Sequence, residues 1–203
     1  MGYPDFYDNI EIIKVVDELS AVLGAFDNGE YEFNYVDVVK SAGHSCPTVA
    51  GAYLIVLEAS KALYPNDRMV RGGISVEFKD ALEDGVIGVI SNVISQITGA
   101  TDKSGFKGLN GKFVRHSLMD FNSDINSFVR FTRLDNNSSV ELSYDSSSLP
   151  ADPNINILMQ KIMQNKASLE EHKTFSKLWQ LRVKNIFDNS DKVIKITHIS
   201  KRV

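Results

Sequence analysis

The chain has 203 residues, of which 43% are hydrophobic and 24% charged, with a formal net charge of -4. That length and balance suit one substantial core with room for an appended helical segment. The mild acidity argues against a general nucleic-acid binder, no apolar run approaches the roughly 20 residues of a membrane span, and a single cysteine excludes internal disulfides and multi-cysteine metal centres. The N-terminus lacks the basic and apolar regions of a secretory signal, so a cytoplasmic location is expected.

Residues 5 to 24 set Phe6, Ile10, Ile13, Val16, Leu19 and Leu23 near helical spacing, and Gly24 with Asp27-Asn28-Gly29 closes that segment. Tyr31 to Tyr35 alternates as a strand, and Asp37 to Ala42 reads as a short helix or turn. A compact apolar helix then starts at Pro47 and closes at Tyr64-Pro65-Asn66-Asp67. Gly72 to Phe78 reads as a strand with Ile74, Val76 and Phe78 on one face.

Val86 to Thr98 is rich in β-branched residues, yet Ile87, Ile90, Ile94 and Ile97 share one helical face, and a helix is expected. A loop rich in glycine and lysine follows, then strands over 112–121, 128–134 and 140–144. From residue 151 the pattern turns helical. Asp152-Pro153 opens one helix, the Ser168/Glu171 capping box opens a second, and a final strand is expected from Val193 to Ile199. The fold class expected is therefore α+β, an antiparallel sheet packed with helices over 1–150, followed by a helical C-terminal extension over 151–203.

The strongest chemical signal is His44-Ser45-Cys46-Pro47. Pro47 suits the first helical position, which makes Cys46 the N-cap, facing free backbone N–H groups and the positive end of the helix dipole. Such a setting favours thiolate, the form that attacks electrophiles or binds metal. His44 can serve as its base, or the pair can share a zinc-like divalent ion. A lone cysteine is also commonly a small buried hydrophobe, and both readings stand on the residues alone.

The loop from Thr98 to Lys112 is a second candidate, since its glycines can turn backbone N–H groups toward an anion and Lys103, Lys107 and Lys112 supply charge. A solvated connection explains it equally well. Five residues separate Gly105 from Gly111 and Phe113 follows Lys112, so it is no Walker loop; Gly-x-Gly-x-x-Gly is also missing, and no nucleotide cofactor is expected. Glu77 and Asp80, at a strand end, can extend an acid–base or metal site or simply face solvent.

Gly43-His44-Ser45-Cys46-Pro47, followed by a small-residue helix, resembles the G-H-x-C-P signature of the FmdE family, named for a component of formylmethanofuran dehydrogenase. Ile97-Thr98-Gly99-Ala100-Thr101, with Gly111-Lys112 downstream, is similar to that family's T-G-C-T segment and following Gly-Lys. The resemblance covers approximately residues 35 to 145 and leaves the C-terminal helices outside. It implies an α+β core, a homodimer, and a pocket around His44 and Cys46 that binds metal or a small-molecule ligand, with Thr98, Gly99, Thr101 and Lys112 as lining residues. Ala100 stands where the family pattern has cysteine, and Val89 and Asn92 replace a cysteine and an aspartate, which removes expected helpers. A noncatalytic accessory module with a structural His-x-Cys turn is the alternative.

Overall fold

The computed structural model describes residues 2–200. A short 3-10 turn, Asp5–Asn9, leads into β1 (Ile13–Val16), α1 (Glu18–Val22), β2 (Glu30–Phe33), α2 (Tyr35–Ala42) and α3 (Pro47–Leu63). The chain continues through β3 (Met69–Val70), β4 (Ile74–Phe78), α4 (Ile87–Thr98), β5 (Met119–Asp120), β6 (Val129–Arg133) and β7 (Ser139–Tyr144). It closes with α5 (Asn154–Met163), α6 (Leu169–Asp188), α7 (Ser190–Val193) and β8 (Ile194–Ser200). The class is α+β, as expected.

α3 is the centre of the molecule. Its residues from Val49 to Leu57 are buried without a break, the pattern of a helix covered on all sides. It packs against α2, α4, α6, β1, β7 and β8. The larger sheet has the order β5-β4-β6-β7-β8, antiparallel except that β5 runs parallel to β4. Strand alternation puts Ile74, Val76, Phe78, Val129, Phe131, Val140 and Leu142 into the core. The outer face carries Glu77 and Glu141 on either side of Arg130, bonded at 3.4 Å and 2.6 Å, so Glu77 is spoken for by an ion pair. A smaller sheet, β2-β1-β3, pairs Ile13 with Phe33 and Val15 with Met69.

Two expectations need correction. Residues 5–24 do not form one helix. Ile13-Lys14-Val15-Val16 pairs with two other strands, and Asp17 then starts a separate helix by accepting from the N–H groups of Leu19 and Ser20 at 3.0 Å and 3.3 Å. Strand pairing outweighed the helical spacing. The strand expected over 112–121 shrinks to Met119–Asp120, because Asn110, Phe113 and Ser117 adopt positive φ and the N–H groups of Arg115 and His116 bond to Phe106.

The residues after Ala151 are helical, as expected, and end in the expected strand, β8. α6 opens on the Ser168/Glu171 capping box and lays Val183 and Ile186 into the core against α3. β8 pairs with β7 as the outermost strand. Among the described residues no helix is long and apolar enough to cross a membrane.

Candidate functional site

The turn before α3 is built from both ends of the chain. α2 stops at Gly43, whose φ of 75° reverses the chain cheaply because it has no side chain. Cys46 is the N-cap of α3: its Sγ accepts the Val49 N–H at 3.4 Å, and Pro47 fills the first helical position. Cys46 is half-buried and unpaired by any disulfide. The His44 ring is exposed, and its Nδ1 lies 3.0 Å from the Ala42 carbonyl. A carbonyl only accepts, so Nδ1 carries the proton in neutral His44 and Nε2 keeps its lone pair for a proton or a metal.

Several side chains that the sequence pattern did not single out hold this turn. Ser45 is buried; its hydroxyl bonds the Tyr35 phenol at 2.9 Å, and its carbonyl accepts the Trp179 indole N–H at 2.9 Å. Tyr144 donates to the Pro47 carbonyl at 2.7 Å, and its ring lies flat against Gly51, one turn into the helix. Burial pushes the Tyr35 and Tyr144 phenols up, so both stay neutral. Tyr7 reaches α6 through Gln180 at 2.9 Å. α6 is therefore a strap across the His44–Cys46 turn. Nothing in local sequence signals contacts between residues 134 positions apart.

The second group of candidates sits around a different cluster. Thr98 is buried and donates to the Ile94 carbonyl at 2.7 Å while accepting the Ala100 N–H at 3.1 Å. The Thr101 hydroxyl donates to the Arg115 carbonyl at 2.8 Å. Gly99, at φ 75°, ends α4 beside the side chains of Arg71 and Arg115. Lys112 is exposed in a tight turn bridged to Leu109. Lys103 and Lys107 are also exposed. Among the described residues no hydrogen bond joins these residues to His44 or Cys46; α4 packs directly on α3, and its Gln96 amide donates to the Asp37 carbonyl of α2 at 3.2 Å.

That second cluster centres on Asp17, another group without a sequence signal. It binds Arg71 at 3.1 Å and Arg115 at 2.6 Å, partners 54 and 98 residues away. Burial pushes the Asp17 carboxyl up, but the Arg115 charge and the Arg71 and Ser20 hydrogen bonds outweigh it and hold it below the usual carboxylate range.

Among the described residues no group of three or more His, Cys, Asp or Glu side chains is arranged to hold a metal ion. Ala100 is buried, whereas Val89 and Asn92 face outward from α4.

A family model described as FmdE, Molybdenum formylmethanofuran dehydrogenase operon, matches residues 42–195. The match begins just before the His-x-Cys turn and runs through α5, α6 and α7, correcting the expectation that the C-terminal helices lie outside it. Comparison with curated proteins finds no match.

Proposed function

The chain belongs to the FmdE family, and from that premise we propose that Cys46 is its reactive group, a thiolate acting on a small electrophilic substrate with His44 as proton acceptor. The observation that supports this reading is the N-cap geometry: the Val49 N–H points at Sγ, and the positive end of a 17-residue buried helix lies behind it. Both effects stabilise negative charge on sulfur. His44 Nε2, freed by the Nδ1 contact with Ala42, is the complementary base.

The same two groups, Sγ of Cys46 and Nε2 of His44, are the donors this chain offers to a divalent, zinc-like ion. They are too few for a closed site, since zinc takes about four ligands. Further donors would have to come from water, substrate, or a second copy of the chain in a homodimer. Thr98, Gly99, Thr101 and Lys112 belong to the reading only as residues that a substrate reaches beyond the turn, because the Thr98 and Thr101 hydroxyls already serve backbone groups.

Elemental analysis and alkylation of the purified chain test the proposal together. Wild type as purified should retain a zinc-like ion and, once stripped by chelator, should react readily with iodoacetamide, while Cys46→Ser and His44→Gln, still folded by circular dichroism, should lose the ion. Slow alkylation with no metal uptake would instead favour a noncatalytic accessory module.

A further inference from the structure

We propose that the outward face of α4 is an interface between two copies of this chain, packed antiparallel about a twofold axis. The inference says where a homodimer closes and does not rest on the reading given for Cys46.

The first observation is a set of apolar side chains that face solvent. α4 packs on α3 and buries Ile87, Ile90, Ile94 and Ile97. On its other side Val86 and Val89 are exposed, and so is Leu82 just before the helix. Phe106 and Leu109 are exposed in the loop that follows it. That loop returns into β5, the edge strand beside β4, and β4 leads to Leu82, so these side chains follow one flank of the molecule. An exposed apolar flank of this kind marks an interaction surface.

Charge identifies what covers the flank. The end before α4 carries Asp80, Glu83 and Asp84, and the end after it carries Lys103, Lys107 and Lys112, all exposed. Among the described residues none of these enters an ion pair. Lys79 is the one cation at the acidic end, and Asp102, the one carboxylate of the loop, is held by Ser104. The 12 residues of α4 hold the two ends roughly 18 Å apart, beyond the screening length of about 8 Å at physiological salt. The opposite charges therefore cannot neutralise each other within one chain.

A second copy turned end for end supplies both complements at once. Its lysine loop meets the carboxylates, its carboxylates meet the lysine loop, and Leu82 and Val86 meet Phe106 and Leu109. The contact is made twice with the same residues, as a twofold interface requires, and it closes at two chains. Asn92, exposed midway along α4, falls near the axis, where its amide can both donate and accept across to its copy. A partner of uniform charge would satisfy one end only and meet like charge at the other.

Sedimentation equilibrium of the full chain at low salt, from roughly 1 to 100 µM, tests the proposal. Wild type should dimerise, and more weakly as salt rises. Glu83→Lys and Lys107→Glu, each still folded by circular dichroism, should raise the dissociation constant at least about tenfold by setting like charges face to face. Mixing the two variants should restore the dimer, because the reversed acidic end of one then meets the reversed loop of the other while the second pair of ends is native. That rescue separates a lost interface from a folding defect. The proposal is overturned if wild type stays monomeric across that range. Wild-type dimerisation by both variants, which would place the interface on another surface such as the apolar side of α5 and α6, overturns it too, as does a mixture that stays monomeric. No thiol enters the readout, so failure here leaves the Cys46 proposal standing.

Discussion

Gly51→Ala is the most informative substitution in the fold, because simple helix propensity and the packing around the site predict opposite signs. In an open helix, alanine in place of glycine adds about 1 kcal/mol of stability. Here the new methyl would lie 2.4 Å from Cζ of Tyr144, with two more ring atoms at 2.5 Å and 2.7 Å. Ordinary contact starts near 3.4 Å, so the ring must retreat by about 1 Å. Such a shift strains the 2.7 Å bond from Tyr144 to the Pro47 carbonyl, at the first turn behind Cys46. Overpacking costs about 1–3 kcal/mol and a lost hydrogen bond about 0.5–1.5 kcal/mol, so the net loss after the alanine gain is about 0.5–3.5 kcal/mol. For a chain of this size that lowers Tm by about 1–14 °C. Thermal unfolding by circular dichroism and urea titration of the same samples measure it, and the alkylation rate of Cys46 should change in parallel. A Tm equal to or above wild type would refute the reasoning, because it would mean that Tyr144 does not pack on α3 at that point.

Two further outcomes follow from the same contacts. Trp179→Phe keeps most of the apolar contact but removes the indole donor to Ser45, which should cost about 1 kcal/mol by urea midpoint; no loss would show that α6 does not strap the turn. Asp17→Asn should cost about 3–5 kcal/mol at pH 7, since it leaves two arginines facing a neutral amide. The Asp17 carboxyl is held low in the folded state, so its contribution is fully present above the unfolded value of about 3.9 and is lost as pH falls through the lower folded value. The gap between wild type and Asp17→Asn should therefore narrow below about pH 4; urea midpoints at pH 7 and pH 3 that differ by the same amount would contradict this.

What could be read from the sequence was local. Pro47 after Cys46 marked the start of α3, Ser168 with Glu171 marked that of α6, and the isoleucine spacing from Ile87 to Ile97 identified α4 despite its β-branched content. The failures came from partners distant in sequence. Ile13 to Val16 carries both a helical and a strand pattern, and only pairing with β2 and β3 decides between them. Arg115 looked like part of a strand, yet its position is set by Asp17 and by the absence of side chains on Gly72 and Gly99. His44 and Cys46 stood out because their chemistry is encoded within four residues, whereas the tyrosines and tryptophan that hold them come from the N-terminal third and the last third of the chain.

The central claim is that the N-cap position makes Cys46 reactive. The direct measurement is the second-order rate constant for its alkylation by iodoacetamide at pH 7, after chelator treatment, in the native chain and in the same chain unfolded in urea. Cys46 is the only cysteine, so the signal is unambiguous. The account predicts faster reaction in the native state despite partial burial, because the helix N-terminus and the Val49 N–H face the attacking sulfur. A native rate equal to or below the unfolded rate would contradict it.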